Sequence, residues 1–322
     1  MEQLTNTENP TTYKVQFHGK GSEYFGIAIV NLLLTLITLG FYYPWAKARS
    51  LQYLYGATEF NDSRFVFSGT GKEMFKGFVK AVLIFTVLYI LLFVSIYLDM
   101  PVVGLLIFYL GILGLIPLAI HGSYKYRMSR TSWRSIRMGY RGDRQELFKL
   151  FFSGFFLTLI TFGIYGAWFS MKLRNYVLNK IRFGTLKFHY FGRGDDYFFL
   201  NLKGYLLTLI TIGIYFFWWQ RDLFNYYINN LSLQNEQGDT IRLRSKVTGG
   251  NFLLLALGNL LILVLTLGLG YAWVVTRTLQ FVFDNIELSG NLDLENIVQT
   301  EPAFTDATGE DVSDMLDFGF VI

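Results

Sequence analysis

One apolar stretch, LTLITLGFYYPW at residues 34–45, decides the fold of this chain, because the same pattern returns further along. It recurs as LTLITFGIYGAW at 157–168, as LTLITIGIYFFW at 207–218 and, more diverged, as LTLGLGYAW at 265–273. In each copy a Thr stands two residues before a Gly, and a Trp stands five residues after it. A pattern that recurs in this way indicates an architecture built from internal repeats.

The composition indicates a membrane protein. Of the 322 residues, 52% are hydrophobic and only 16% are charged, whereas a soluble domain carries about 25% charged residues. The chain has no Cys, which excludes disulfides and thiolate metal sites. Because residues 1–20 are polar, we expect no signal peptide there, and the first apolar segment would serve as its own insertion signal.

The apolar runs predict six membrane-spanning helices within one repeated domain over residues 13–292. About 20 apolar residues cross a bilayer, and the runs are of this order. The predicted spans lie at about 24–45, 81–98, 102–120, 147–169, 197–219 and 251–275. Residues 1–12 are predicted to be a disordered tail, and residues 293–322 an acidic tail that is mostly disordered.

Short strands with glycine turns separate the apolar segments. The stretch RFVFSGTG at 64–71 has the composition of a strand that ends at a turn. Similar stretches lie at 13–21, 135–142, 185–194, 241–250 and 286–290. The sequence therefore predicts an α-helical polytopic membrane protein with internal repeats, in which short β-strands with Gly-rich turns lie between the helices.

Small and polar residues form a stripe along one face of the repeated helix. Their positions step by three or four residues, which keeps them on one side of an α-helix. Such residues let membrane helices pack closely, and they can also line the site of a solute. The candidate intramembrane polar residues are Asn31, Thr35, Thr38, Thr158, Thr161, Thr208, Thr211, Asn259 and Thr266.

Two topologies are open. If each motif is a single span, the excess of Lys and Arg places the side that holds 46–80, 122–149 and 220–250 in the cytoplasm. In the alternative, the helix breaks at the motif glycine, so that each motif forms a re-entrant hairpin and all strands share one side, where they can pair. Pro44 favours the break in the first copy. The unbroken polar stripe favours single spans, which we predict.

Aromatic and basic side chains mark the predicted membrane interfaces. Trp prefers the headgroup level, and the motif tryptophans follow the apolar run directly. A basic stretch beside a predicted span is expected to contact anionic lipid rather than nucleic acid. The predicted interface anchors are Trp45, Trp168, Trp218 and Trp273, and the candidate headgroup contacts are Lys125, Arg127, Arg130, Arg134 and Arg137.

No catalytic, cofactor or metal site stands out in the sequence. The three His residues have no evident partner, and no motif of a metalloprotease, a nucleophile elbow or a phosphate loop occurs. We therefore expect no enzyme and no cofactor. The leading hypothesis is the binding or passage of a small solute or lipid between the repeats. The competing hypothesis is a non-catalytic scaffold that packs, forms homo-oligomers or binds anionic lipid.

Several separated motifs resemble those of one family. They are LTLITLGFYYPWAKAR at 34–49, RFVFSGTG at 64–71, RMSRTSWR at 127–134 with YRG at 140–142, and NKIRFGTLKF at 179–188. The resemblance is to the YjgN-like family of bacterial inner-membrane proteins, a domain of unknown function, and it covers roughly residues 13–292. The fourth copy departs from the pattern, with Leu263 in place of Thr and Gly270 in place of Tyr. The resemblance implies a location in the bacterial inner membrane, and it implies no activity.

Overall fold

Five helical hairpins and one sheet make up the computed structural model, which describes residues 11–235, 237–291, 294 and 296–301. The helices are α1 (Gly21–Ile37), α2 (Tyr43–Gly56), α3 (Gly71–Tyr97), α4 (Pro101–Ser129), α5 (Arg144–Ile160), α6 (Gly166–Asn179), α7 (Gly194–Ile210), α8 (Phe216–Asn229), α9 (Gly249–Leu265) and α10 (Tyr271–Asp284). The strands are β1 (Thr12–Tyr13), β2 (Val15–Phe17), β3 (Thr58–Phe60), β4 (Ser63–Phe67), β5 (Thr131–Trp133), β6 (Ile136–Tyr140), β7 (Ile181–Phe183), β8 (Leu186–Tyr190), β9 (Leu231–Gln234), β10 (Thr240–Ser245) and β11 (Ile286–Gly290).

All eleven strands belong to one sheet, in the order β1-β11-β10-β9-β8-β7-β6-β5-β4-β3-β2. Every neighbouring pair is antiparallel. Strands β1 and β2, which both come from the N-terminal segment, lie at the two ends of this strand order. The first half of this segment pairs with β11, through Tyr13 and Leu288, and its second half pairs with β3, through Val15 and Phe60. The N-terminal segment therefore joins the last strand to the third and closes the sheet on itself.

This architecture contradicts the predicted polytopic helical fold with separate short strands. The predicted spans 24–45, 147–169, 197–219 and 251–275 each contain the end of one helix, a turn at the motif glycine and the start of a second helix. The prediction failed because a polar stripe with helical spacing also arises when the two helices of a hairpin turn their polar faces toward each other. Among the described residues, only α3 and α4 are long and apolar enough to cross a membrane.

The hairpins form a closed ring that matches the closed sheet. The second helix of each hairpin packs on the first helix of the next: α2 on α3, α4 on α5, α6 on α7, α8 on α9, and α10 back on α1. Each hairpin leaves the sheet after one strand and returns to it at the next. The hairpin turns therefore lie at the ends that point away from the sheet.

Large apolar side chains fill the interior of the closed sheet. Phe60, Trp133, Phe183, Ile241 and Leu288 come from five different strands and form one buried cluster. Leu294 and Ile297, which follow β11, join the same cluster.

The predicted acidic tail thus begins with residues that pack on the sheet, and Glu301 forms an ion pair of 2.9 Å with Arg141. Residues 1–10 and 302–322, on which the predictions of disorder also fall, lie outside the described residues.

Candidate functional site

The turns of the four short hairpins share one backbone geometry at the motif glycine. In the first turn, Leu39 has a φ of +51° and Gly40 a φ of +93°. Glycine adopts this left-handed region freely, whereas a bulky residue there costs about 1–2 kcal/mol. The other turns have closely similar angles at Phe162 and Gly163, at Ile212 and Gly213, and at Leu267 and Gly268. Two successive left-handed residues reverse the chain, so that the second helix returns along the first.

The motif Thr hydroxyl ties the two helices together across the turn. The Thr38 hydroxyl donates to the Leu34 carbonyl oxygen over 2.7 Å and accepts a hydrogen bond of 2.9 Å from the Tyr42 backbone N–H. The equivalent bonds are made by Thr161, Thr211 and Thr266. Each hydroxyl thus satisfies an amide at the start of the second helix, one of the groups that helix ends leave unpaired. This hydrogen bond from the backbone N–H matters most in lipid, because no water is present there to replace it.

Replacing Thr38, Thr161 and Thr211 by Val is expected to destabilise the folded protein, whereas replacement by Ser is expected to be nearly neutral. Val has the shape of Thr but lacks the hydroxyl, so each site leaves a backbone N–H without its partner, which costs about 1–3 kcal/mol. Ser keeps the hydroxyl and serves as the matched control. Thermal unfolding of both triple variants in detergent measures the difference. Equal melting temperatures for the Val and Ser variants would show that the hydroxyl does not hold the turn.

The tips of these hairpins are apolar and almost fully exposed. The residue before each motif glycine is almost fully exposed. The exposed fraction is 90% for Leu39, 96% for Phe162, 94% for Ile212 and 93% for Leu267. Two residues earlier, the exposed residues are Ile37, Ile160, Ile210 and Leu265. The long hairpin ends with Tyr97 and Met100 exposed on either side of Asp99. Contiguous exposed apolar surface of this kind marks contact with a membrane or with another protein.

The remaining stripe residues bond within their own hairpins. The Asn31 amide donates to the Ala46 carbonyl oxygen over 3.0 Å and so links α1 to α2. Asn259 links α9 to α10 in the same way, because its amide donates to the Thr278 hydroxyl over 3.0 Å. Thr35 and Thr158 bond to backbone carbonyls of their own helices, and the buried hydroxyl of Thr208 has no hydrogen-bond partner in the described structure. The stripe is therefore largely a packing seam inside each hairpin.

The four motif tryptophans lie where one hairpin meets the next. Trp45 packs on Gly71, the first residue of α3, where a Cβ would come within 2.4 Å of the indole ring. The same contact joins Trp168 to Gly194, Trp218 to Gly249 and Trp273 to Gly21. Three of the indoles also pack on a Phe one turn further into the next helix, at centroid distances of 5.0–5.2 Å. Each motif Trp therefore packs at the contact between two neighbouring hairpins of the ring.

The basic residues predicted to contact headgroups differ in their surroundings. Arg130 forms an ion pair of 2.8 Å with Glu73. Arg134 donates to the Asn61 carbonyl oxygen and lies over the ring of Trp133 at 4.4 Å. Lys125 and Arg127 are half-buried near the end of α4, whereas Arg137 is exposed on β6. Arg130 and Arg134 therefore hold neighbouring segments of this chain together.

Tyrosines outside the predicted candidate residues form hydrogen bonds at the ends of the hairpins nearest the sheet. The Tyr53 hydroxyl accepts from the Lys20 backbone N–H over 2.8 Å and donates to the Lys20 carbonyl oxygen over 3.1 Å. Tyr176 and Tyr226 make the equivalent pairs with Asp143 and Arg193. Burial raises the pKa of Tyr176 to about 12, so its hydroxyl stays protonated. The sequence contains a signal that could have identified these tyrosines, because a Tyr stands 13 residues after the motif glycine in all three units.

Comparison with known proteins assigns the family. A model of a bacterial protein family of unknown function, DUF898, matches residues 12–191 and 219–315. The chain belongs to this family. It is 35% identical over 140 residues to the inner membrane protein YjgN of Escherichia coli K12, which is 44% of this chain and 34% of that protein. The relative of the same name from Salmonella typhimurium is 27% identical over 183 residues, 53% of this chain and 45% of that protein.

The resemblance inferred from the motifs to the YjgN-like family is thereby confirmed. The chain matches less than half the length of these curated relatives. No solved structure matches the chain. The family is one of membrane proteins without an assigned activity, so a functional conclusion has to come from the geometry.

Proposed function

We propose that this protein is seated in the bacterial inner membrane from the cytoplasmic side and binds the lipids around its helical hairpins. The observation that carries this proposal is the set of apolar, almost fully exposed hairpin tips on one side of a closed sheet. The name inner membrane protein, which the relatives bear, supports the location.

Helix lengths indicate how deep each hairpin goes. At about 1.5 Å per residue, the 17 residues of α1 span about 25 Å and the 27 residues of α3 about 40 Å. The hydrocarbon core is about 30 Å thick, so the long hairpin α3–α4 can cross it and return. The helix α2 carries Lys47 and Arg49 a few residues past its turn, and charged groups stay near headgroups. The four short hairpins therefore enter one leaflet and turn back.

The distribution of charge supports a cytoplasmic position for the sheet. The five tips contain no Lys or Arg, and the far end of the long hairpin carries the acidic Asp99. Basic residues such as Arg64, Arg137 and Arg242 lie on the strands instead. Cytoplasmic segments are enriched in Lys and Arg, so the sheet, and with it the connections between hairpins, belongs to that side.

Binding of lipid is favoured over passage of a solute. Buried apolar side chains around Trp133 fill the sheet, so a path along its axis is blocked within the described residues. The Thr and Asn side chains that suggested a solute path are mostly used inside the hairpins. We also propose a non-enzymatic role, because the motif Thr and Trp residues that the sequence singled out serve the turns and the contacts between hairpins.

Labelling of single Cys substitutions tests this seating, since the chain has no Cys of its own. We expect Cys at Ser68 and at Arg193 to react with a membrane-impermeant reagent from the cytoplasmic side. Cys at Leu39 and at Ile212 is expected to react from neither side, because the tips lie in lipid, whereas Cys at Asp99 reacts from outside. Labelling of Ser68 and Arg193 from opposite sides would overturn the proposal.

A scaffold is the alternative role, and one observation favours it. The lipid-facing sides of α3 and α4 expose many large apolar residues, among them Leu83, Ile90, Phe93 and Leu106. These sides could pack against a second copy of the chain, as in the predicted homo-oligomer. A scaffold of this kind needs no specific lipid, so it would retain none after purification.

A further inference from the structure

The ring of hairpins contains a crevice at the point where it closes. The first and last hairpins leave a space of about 690 Å³ between α1, α2 and the start of α10. The turn between α9 and α10 also borders it, with Gly268 and Leu269. The small side chains of Ala28, Ala46 and Ala272 leave this room. Because it lies among the hairpins, the crevice belongs to the part of the molecule that meets lipid.

The crevice has one apolar wall and one polar wall. The helix α1 contributes Phe25, Ala28, Ile29 and Leu32, which lie on one face because they are spaced by three and four residues. The helix α2 contributes Tyr43, Lys47 and Ser50 at the same helical spacing. Near the hairpin tips, Leu32, Leu263 and Leu269 suit a hydrocarbon chain, whereas the polar wall suits a headgroup.

The polar wall is extended by hydroxyl groups from neighbouring elements. Tyr24 lines the crevice beside Ser50. Tyr43 and Tyr271, the first residues of α2 and α10, also line the crevice. Together with the Lys47 ammonium, these donors form a site that complements a phosphate group.

We propose that this crevice binds one anionic phospholipid, with the phosphate at Lys47, Ser50 and Tyr24 and an acyl chain that runs past Leu32 and Leu263 toward the hairpin tips. The inference rests on the proposed seating, because only a ring embedded in the bilayer presents this crevice to lipid. Leu32 and Leu269, both half-exposed at the rim, lead from the surrounding bilayer into the crevice. A protein that holds a lipid where its ring closes gains stability from that lipid, since a ligand that binds only the folded state stabilises it.

The test counts the lipids that the purified full-length protein retains. The protein is equilibrated in mild detergent with equal amounts of phosphatidylglycerol and phosphatidylethanolamine, and native mass spectrometry records the bound species. We expect one retained phosphatidylglycerol. Lys47→Gln should weaken the preference for the anionic lipid about tenfold, the size expected from one lost charge-assisted hydrogen bond. Ala28→Phe should remove the retained lipid of either kind by filling the crevice.

Two matched variants control for charge and for size. Lys203→Gln removes another Lys from the hairpin surface, at a groove on α7. Leu33→Phe enlarges an exposed side chain of α1 that does not border the crevice. Both should bind lipid like the unaltered protein. A wild-type protein that retains no phosphatidylglycerol, or Lys47→Gln and Ala28→Phe variants that retain it unchanged, would overturn the crevice proposal. The Cys labelling pattern would be unaffected by that failure, so the two proposals can fail separately.

Discussion

Deleting residues 2–17 is expected to open the sheet and abolish cooperative folding, whereas deleting residues 2–10 is expected to leave the fold intact. The segment of β1 and β2 is bonded on both sides, to β11 and to β3. Its loss exposes two unpaired strand edges, which favour aggregation. It also removes Phe17, which is buried, and Tyr13, which packs against the cluster inside the sheet.

The size of this effect follows from the contacts that are lost. Full burial of one large apolar side chain contributes about 1.5–3 kcal/mol, and the total stability of a domain is about 5–15 kcal/mol. Losing two such side chains and the hydrogen bonds of two strand pairs therefore removes much of that total. Thermal unfolding followed by circular dichroism, together with resistance to protease, measures the result. If the two deletions unfold at the same temperature, the N-terminal strand does not close the sheet.

The sequence identified the longer strands because they combine alternation with a glycine turn. The predicted stretches at 64–71, 135–142 and 185–194 overlap β4, β6 and β8. It missed the partner strands β3, β5 and β7, which have three residues each. Three residues that follow a helix directly are too short to show an alternating pattern. Without these partners, the predicted strands had no neighbours, and the closed sheet could not be inferred.

The helix break was predicted only as the alternative to single spans, because the residues at the turn are poor turn formers. Leu39, Phe162 and Ile212 adopt left-handed angles that bulky and β-branched residues rarely take. The neighbouring glycine permits the reversal, and the Thr hydroxyl bonds help to offset the strain. The relevant information was present as the fixed spacing of Thr and Gly, but a spacing alone does not distinguish one long helix from two.

The candidate residues were located by their recurrence, and their roles came from the structure. A Thr or Trp at one position of several copies indicates a shared environment, which is the turn for Thr38 and the joint between hairpins for Trp45. Whether such residues face a partner helix, a solute or lipid depends on long-range packing. The proposed seating in one leaflet therefore rests on the exposed apolar faces, which only the structure reveals.

Replacing Trp133 by Ala is expected to be the most destabilising single substitution. Trp133 is fully buried inside the closed sheet, with Phe60 and Phe183 at ring-centroid distances of 5.5 and 5.7 Å. Its indole N–H donates to the carbonyl oxygens of Phe60 and Ser63, which end one strand and begin the next. Removing the ring from a packed core costs about 3–5 kcal/mol. The neighbouring backbone would also lose the bonds that hold the turn between β3 and β4.

The substitution Trp133→Phe separates the contribution of ring packing from that of the indole hydrogen bonds. Trp133→Phe keeps most of the aromatic packing and loses only the N–H donor, so we expect a cost of about 1–3 kcal/mol, below that of Ala. Urea unfolding in detergent, followed by circular dichroism, gives the free energy of unfolding for both variants. If Ala and Phe were equally destabilising, hydrogen bonding rather than packing would hold the sheet closed around this residue. If neither changed the unfolding midpoint, the interior of the sheet would not be the core of the fold.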